Sequence, residues 1–170
     1  MKASVIVTTF NRSKLLKERS LISAIQQLFM GQFEVIVIDD YSTDDTEQVV
    51  KEFQKNHSNL IYCKHEENLG LAAARNTGVQ LARGQYIMFL DDDDFLIPFA
   101  LEVGGVVLDN FPNAQVVIGG RMVVNPEGGQ YQPPPKVDEK SLYTTLDDGF
   151  IIRKSVFEKI RYDENLLTNE

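Results

Sequence analysis

The run Tyr86-Ile87-Met88-Phe89-Leu90-Asp91-Asp92-Asp93-Asp94 constrains this chain more than any other stretch. Five apolar residues predict a buried strand, and four carboxylates follow at once. So much negative charge at one strand end needs a cation or protons to neutralise it. Hard divalent cations take oxygen ligands, and Mg²⁺ is usually held by one or two carboxylates plus substrate phosphates. The same residues would also make a solvated acidic turn, because Asp favours turns and helix N-termini.

A second acidic strand end shifts the balance. Glu34-Val35-Ile36-Val37-Ile38-Asp39-Asp40-Tyr41-Ser42 repeats the pattern of an apolar strand followed by paired Asp. In an open parallel sheet, ligands bind outside the carboxyl ends of the strands. Both acidic clusters are therefore expected on one edge of one sheet, facing one crevice.

The rest of the chain supplies such a sheet. Ala3 to Thr9 is rich in β-branched residues and predicts a first buried strand. Leu15, Leu16, Ile22, Ile25 and Phe29 predict a helix that Gly31 closes. After the Glu34–Ile38 strand, Asp44 and Glu47 offer a capping box for a second helix. Leu60-Ile61-Tyr62-Cys63 predicts a third strand, and Ala-rich Leu71 to Ala82 a third helix. Pro98 is expected in the first turn of a helix running to about Leu108. Gln115–Gly119 and Arg121–Val124 complete the strands of an α/β domain with a mostly parallel sheet. Beyond Val124, Asn125-Pro126-Glu127-Gly128-Gly129 and Pro133-Pro134-Pro135 predict a surface loop. A short strand at Phe150-Ile151-Ile152 and a short helix at Ser155–Ile160 are expected to follow.

Composition narrows the partners. The 170 residues suffice for one domain core. The formal net charge of -8 argues against a nucleic-acid backbone, which needs a basic face. The one cysteine, Cys63, excludes an internal disulfide and fits a buried thiol in a cytoplasmic setting. No signal peptide and no membrane-span-length apolar run is visible. His57 and His65 lack partners at metal spacing and are expected on solvated connections without a role.

Four segments together resemble the nucleotide-binding part of family 2 glycosyltransferases with the GT-A fold. They are Ser4-Val5-Ile6-Val7-Thr8-Thr9-Phe10-Asn11 and Val37-Ile38-Asp39-Asp40-Tyr41-Ser42. They continue with Asn68-Leu69-Gly70-Leu71-Ala72-Ala73-Ala74-Arg75-Asn76-Thr77-Gly78 and Gly84-Gln85 leading into the Tyr86–Asp94 run. The resemblance implies a single GT-A-like α/β/α domain over residues 1–170, with residues 1–124 as nucleotide-sugar-binding core and 125–170 as a partial acceptor-side region. It implies metal-dependent transfer of a sugar from a nucleotide-sugar donor, a UDP-sugar, to a hydroxyl of a saccharide or lipid-linked acceptor, with inversion. It also implies peripheral association with a membrane wherever the acceptor is lipid-linked.

The resemblance distributes roles by residue. Thr8, Thr9, Phe10 and Asn11 end the first strand where the nucleotide would lie, or else form a turn with Asn11 or Ser13 as a cap. Asp40 matches the carboxylate that accepts from the base, supported by Asp39; alternatively the pair starts a turn. Arg75 would reach the donor, or pair with an acidic edge residue, and Asn76 would either contact the donor or be structural. Asp91 and Asp93 form the DxD pair for Mg²⁺ or Mn²⁺, with Asp93 the direct ligand, Asp92 toward the ribose and Asp94 as a helix cap. The family's downstream Glu-Asp motif supplies the base. Glu170 stands where that motif would begin and its Asp is absent, with Asp147, Asp148 and Asp163 as substitutes. A non-catalytic donor-binding fragment is the alternative. A phosphorylatable receiver would want acidic residues where Thr8, Thr9 and Asn11 stand, and a sugar nucleotidyltransferase a Gly-rich loop after the first strand.

Overall fold

A computed structural model describes residues 1–125, 128–132 and 150–165. Seven apolar or small residues make β1 (Ala3–Thr9), and every one is buried. Such a strand has no solvated face, so it belongs at the centre of a covered sheet. It pairs in parallel with β2 (Phe33–Asp39) on one side and β4 (Tyr86–Asp91) on the other. Beyond β2 lies β3 (Leu60–Lys64), also parallel. Beyond β4 come β8 (Phe150–Arg153) and then β5 (Val116–Ile118), giving the order β3-β2-β1-β4-β8-β5. β8 runs antiparallel to both of its neighbours.

Alternation along each strand builds two cores. Val5, Val7, Val35, Val37, Met88 and Leu90 pack against α2 (Leu21–Ile25), α3 (Thr46–Gln54) and α5 (Ala100–Asn110). Ile6, Ile36, Ile38, Ile87 and Phe89 face the other way, against α4 (Leu71–Leu81) and the 3₁₀ turn Lys154–Glu158. The result is the expected α/β/α sandwich with a mostly parallel sheet. Gly78 brings α4 close: a Cβ there would lie 2.4 Å from Cγ2 of the buried Ile6.

Several local expectations differ from the structure. The first helix is α1 (Ser13–Leu15), a π turn over Leu16–Ser20 and then α2, and it stops at Ile25, well before Gly31. π turns cluster at functional sites, and this one carries Arg19, whose Nη1 donates to the Asp93 carbonyl at 2.8 Å. Asp44 and Glu47 do not form a reciprocal box. Asp44 accepts from Thr46 of its own helix and from the Ser13 amide of α1, while Glu47 pairs with Lys51. Burial raises the Asp44 carboxyl, but those donors hold it below the usual range. Pro98 precedes α5 rather than sitting in its first turn, and Asp94 caps no helix: its amide closes a turn onto Asp91.

The segment after Val124 is not only loop. β6 (Arg121–Asn125) and β7 (Gly128–Gln132) pair as an antiparallel hairpin. A split at Val124 also does not follow the sheet, because β8 inserts between β4 and β5 and completes the core. Pro133-Pro134-Pro135, Asp147, Asp148 and Glu170 lie outside the described residues. Among the described residues, no helix is long and apolar enough to cross a membrane.

The α4–β1 packing is testable through Gly78→Ala. The new methyl group meets a branched side chain in mid-strand, and such overpacking costs about 1–3 kcal/mol, more than the gain in helix propensity. Denaturant unfolding is expected to show a lower midpoint at unchanged slope. A raised midpoint would contradict the close approach.

Candidate active site

The parallel register fixes the site. Thr9 pairs with Asp39 and Thr8 with Asp91, so three strand ends finish level on one edge. A cleft of about 490 Å³ opens there. Thr8, Thr9, Phe10, Asp40, Asp91, Asp92 and Asp93 all line it. Asn11, Asp39 and Arg75 do not line it; they stand behind its wall.

Each of these three has a definite structural task. Asn11 takes a positive φ of 54° at the end of β1. Its side chain accepts from the Thr43 amide at 2.7 Å, and its own amide donates to the Ser42 hydroxyl. Asp39 accepts from the Ser42 amide and from the Tyr62 hydroxyl, which holds Tyr41 in its φ of 76°. Burial, then the bond to Asp39, pushes the Tyr62 phenol far up. Arg75 is buried between the rings of Phe89 and Tyr162, 5.6 and 5.5 Å from their centroids. Its Nη2 pairs with Asp91 at 3.2 Å, and its Nε is buried without a hydrogen-bond partner among the described residues. Asn76 bonds the Tyr162 backbone in both directions and orients Glu164 onto the cleft wall.

Asp40 is the most tightly held group of the cleft. Its Oδ1 accepts from the Leu69 amide at 2.9 Å and faces His65 Nδ1 at 2.7 Å. Its Oδ2 accepts from the Gly70 amide at 2.7 Å. Gly70 adopts a φ of 85° to present that amide at the start of α4. A carboxylate has about four acceptor positions. Among the described residues three are filled, and one on Oδ2 remains. The His65 side chain is thus largely enclosed and bonded, contrary to the expectation of a solvated histidine, with its Nε2 2.9 Å from the Thr77 hydroxyl.

The four Asp of the β4 end separate as alternation requires. Asp92 turns inward, buried, and accepts from the Thr9 hydroxyl at 2.8 Å. Burial pushes its carboxyl up, Thr9 and Arg12 pull it down, and neighbouring Asp93 adds to the rise. Asp91 and Asp93 are more open and keep free acceptor positions. Arg12, which sequence reasoning gave no role in the site, reaches across the cleft mouth to Asp92 at 3.3 Å and Asp93 at 3.4 Å. These distances lie beyond the usual N–H···O range, so the pairing is easily exchanged. No three metal-ligating side chains converge among the described residues. Two open carboxylates fit a hard cation that takes its remaining ligands from phosphate and water, and do not fit a closed zinc site. Asp163, one substitute for the base, accepts from Asn165 in a local turn.

Known proteins share this fold. The model for glycosyl transferase family 2 matches residues 4–163. An uncharacterised glycosyltransferase of Methanocaldococcus jannaschii is 27% identical over 98% of this chain and 61% of its own length. The GalNAc(5)-diNAcBac-PP-undecaprenol β-1,3-glucosyltransferase of Campylobacter jejuni is 31% identical over 99% of this chain and 57% of its own. The poly(ribitol-phosphate) β-N-acetylglucosaminyltransferase TarS of Staphylococcus aureus, solved with UDP, superposes with a TM-score of 0.83 at 29% identity. That match covers 99% of this chain and 52% of the solved one, so the chain spans about half to three-fifths of the relatives it matches. With the GT-A sheet, the acidic strand ends and the family model agreeing over nearly all its length, the chain belongs to glycosyl transferase family 2.

Proposed function

We propose that the cleft binds a UDP-sugar together with Mg²⁺ or Mn²⁺ and serves transfer of the sugar, with inversion, to a hydroxyl of a saccharide or lipid-linked acceptor. The carrying observation is the juxtaposition in one cleft of Asp40, with one acceptor position left, and the open pair Asp91 and Asp93. The first suits a ring N–H of a base. The second suits a diphosphate bridged through a cation. Support comes from TarS, solved with UDP and with UDP-GlcNAc, and from the β-linkages named in both bacterial relatives. A β-glycoside made from an α-linked nucleotide sugar requires inversion.

The chain's own residues divide the work. Asp40 orients the base, and the β1 end with Thr8, Thr9 and Phe10 forms the floor beneath the nucleotide. Arg75 steadies Asp91 from behind. Arg12 sits where it can leave Asp93 and follow the phosphates. The acceptor hydroxyl attacks the anomeric carbon as a base takes its proton, and the nucleoside diphosphate departs. A cation on Asp91 and Asp93 would supply the positive charge that offsets the charge developing on that leaving group.

Calorimetric titration with UDP tests the reading. Affinity is expected to be at least about tenfold higher with Mn²⁺ than with EDTA, and Asp93→Asn is expected to remove most of that difference. Equal affinity in the two buffers would overturn the metal assignment. Turnover with UDP-sugars and hydroxyl acceptors tests the reaction itself.

Asp92 gives a second prediction. Its folded carboxyl lies above the ordinary value through burial, so its ionised form opposes folding at neutral pH. That opposition fades as pH falls through the raised folded value. Asp92→Asn keeps an acceptor for Thr9 and removes the charge. It is expected to raise Tm at pH 7, with the gap to the parent closing in acid. A lower Tm at neutral pH would show that the pairing with Thr9 and Arg12 outweighs the burial.

A further inference from the structure

We infer that His65 is a positioning residue that gives the cleft its preference for a base carrying a ring N–H. The inference rests on Asp40 being the base acceptor. His65 follows β3, and its backbone amide donates to the Asp39 carbonyl at 2.9 Å. Its imidazole is 8% exposed and is bonded at both nitrogens, at 2.7 Å to Asp40 Oδ1 and at 2.9 Å to Thr77 Oγ1. A carboxylate only accepts, which assigns a proton to Nδ1; in the neutral ring Nε2 then accepts from the Thr77 hydroxyl. Thr77 lies on α4, so the imidazole bridges the β2 end to the helix, whose preceding turn at Leu69 and Gly70 also holds Asp40.

The consequence is a count of acceptor positions. Leu69 and His65 fill Oδ1, and Gly70 takes one position on Oδ2. Among the described residues, Asp40 is left with a single, fixed acceptor position. Uracil meets it with its imide N–H. Cytosine carries a lone pair on the corresponding nitrogen, which the carboxylate repels. Adenine likewise has no ring N–H on its Watson–Crick edge. Without the imidazole, the carboxylate loses the bond that fixes its rotation and can turn a second acceptor position toward the exocyclic amine of cytosine. Selectivity is a difference of affinities, and an unpaired or repelled polar group in the wrong complex supplies it.

The test is the ratio of CDP to UDP dissociation constants, measured with Mn²⁺ present. The parent, His65→Leu, His65→Asn and Thr77→Val are compared, with Tm recorded for each. The parent is expected to favour UDP by about tenfold or more. His65→Leu is expected to bring the ratio within about threefold of unity. His65→Asn puts an amide N–H near the Nδ1 position and is expected to restore most of the preference, which a merely space-filling role would not do. Thr77→Val is expected to give an intermediate ratio. A parent-like ratio in a folded His65→Leu protein overturns the inference while leaving Asp40 as base acceptor. If His65→Leu does not fold, Thr77→Val decides: a lowered ratio supports the inference and an unchanged one overturns it. A parent that binds CDP and UDP alike overturns the reading of Asp40 itself, and this inference with it.

Discussion

The register of β1 against β2 and β4 is the constraint on which the site depends. Thr9 opposite Asp39 and Thr8 opposite Asp91 bring three strand ends level. A slip of one residue would turn Val5 and Val7 out of one core and Ile6 out of the other. Full burial of β1 therefore fixes the cleft as firmly as it fixes the fold. It also concentrates carboxylates on one edge, and the structure meets that charge residue by residue. Asp39 has a turn amide and a phenol, Asp40 two amides and an imidazole, Asp91 a buried guanidinium, Asp92 a hydroxyl and Arg12.

Strands β1, β2 and β4 and helix α4 are legible in the sequence because each is dominated by apolar or small residues of its own. The acidic cleft is legible for the same reason, since the edge rule for parallel sheets needs only strand order. What escapes is long-range. β8 has four residues, and only its partners β4 and β5 make it a core strand. His65 looks like a loop histidine because its partners Asp40 and Thr77 lie 25 and 12 residues away, on other elements. Arg12 follows Asn11 and passes for the start of a helix, although its side chain crosses to a turn 80 residues on. The capping box at Asp44 fails for a related reason: the Ser13 amide, also far in sequence, competes for the same carboxylate.

Contact and support divide the residues that the motifs carry. The motif positions Asn11, Asp39 and Arg75 hold the walls, and Thr8, Thr9, Phe10, Asp40, Asp91, Asp92 and Asp93 face the cleft. A motif read residue by residue cannot separate these two groups, because both are fixed by the same geometry. Arg75 shows the difference plainly. A guanidinium held between two aromatic rings and paired with Asp91 has little freedom to move, so its effect on a ligand passes through the carboxylate it steadies.

The two ends of the cleft are prepared in opposite ways. At the Asp40 end, two backbone amides and an imidazole hold the acceptor before anything binds, so little ordering is left to oppose association. At the Asp93 end, Asp93 is only half-buried and the bonds of Asp92 and Asp93 to Arg12 are long. On the proposed reading, charge arriving there would be rearranged, with Arg12 giving way as phosphate and cation enter together. On that reading, a fixed base end would select the nucleotide by a difference in hydrogen bonding. An adaptable phosphate end can then follow the change in charge as the glycosidic bond breaks, which is where interaction energy lowers a barrier rather than merely tightening binding.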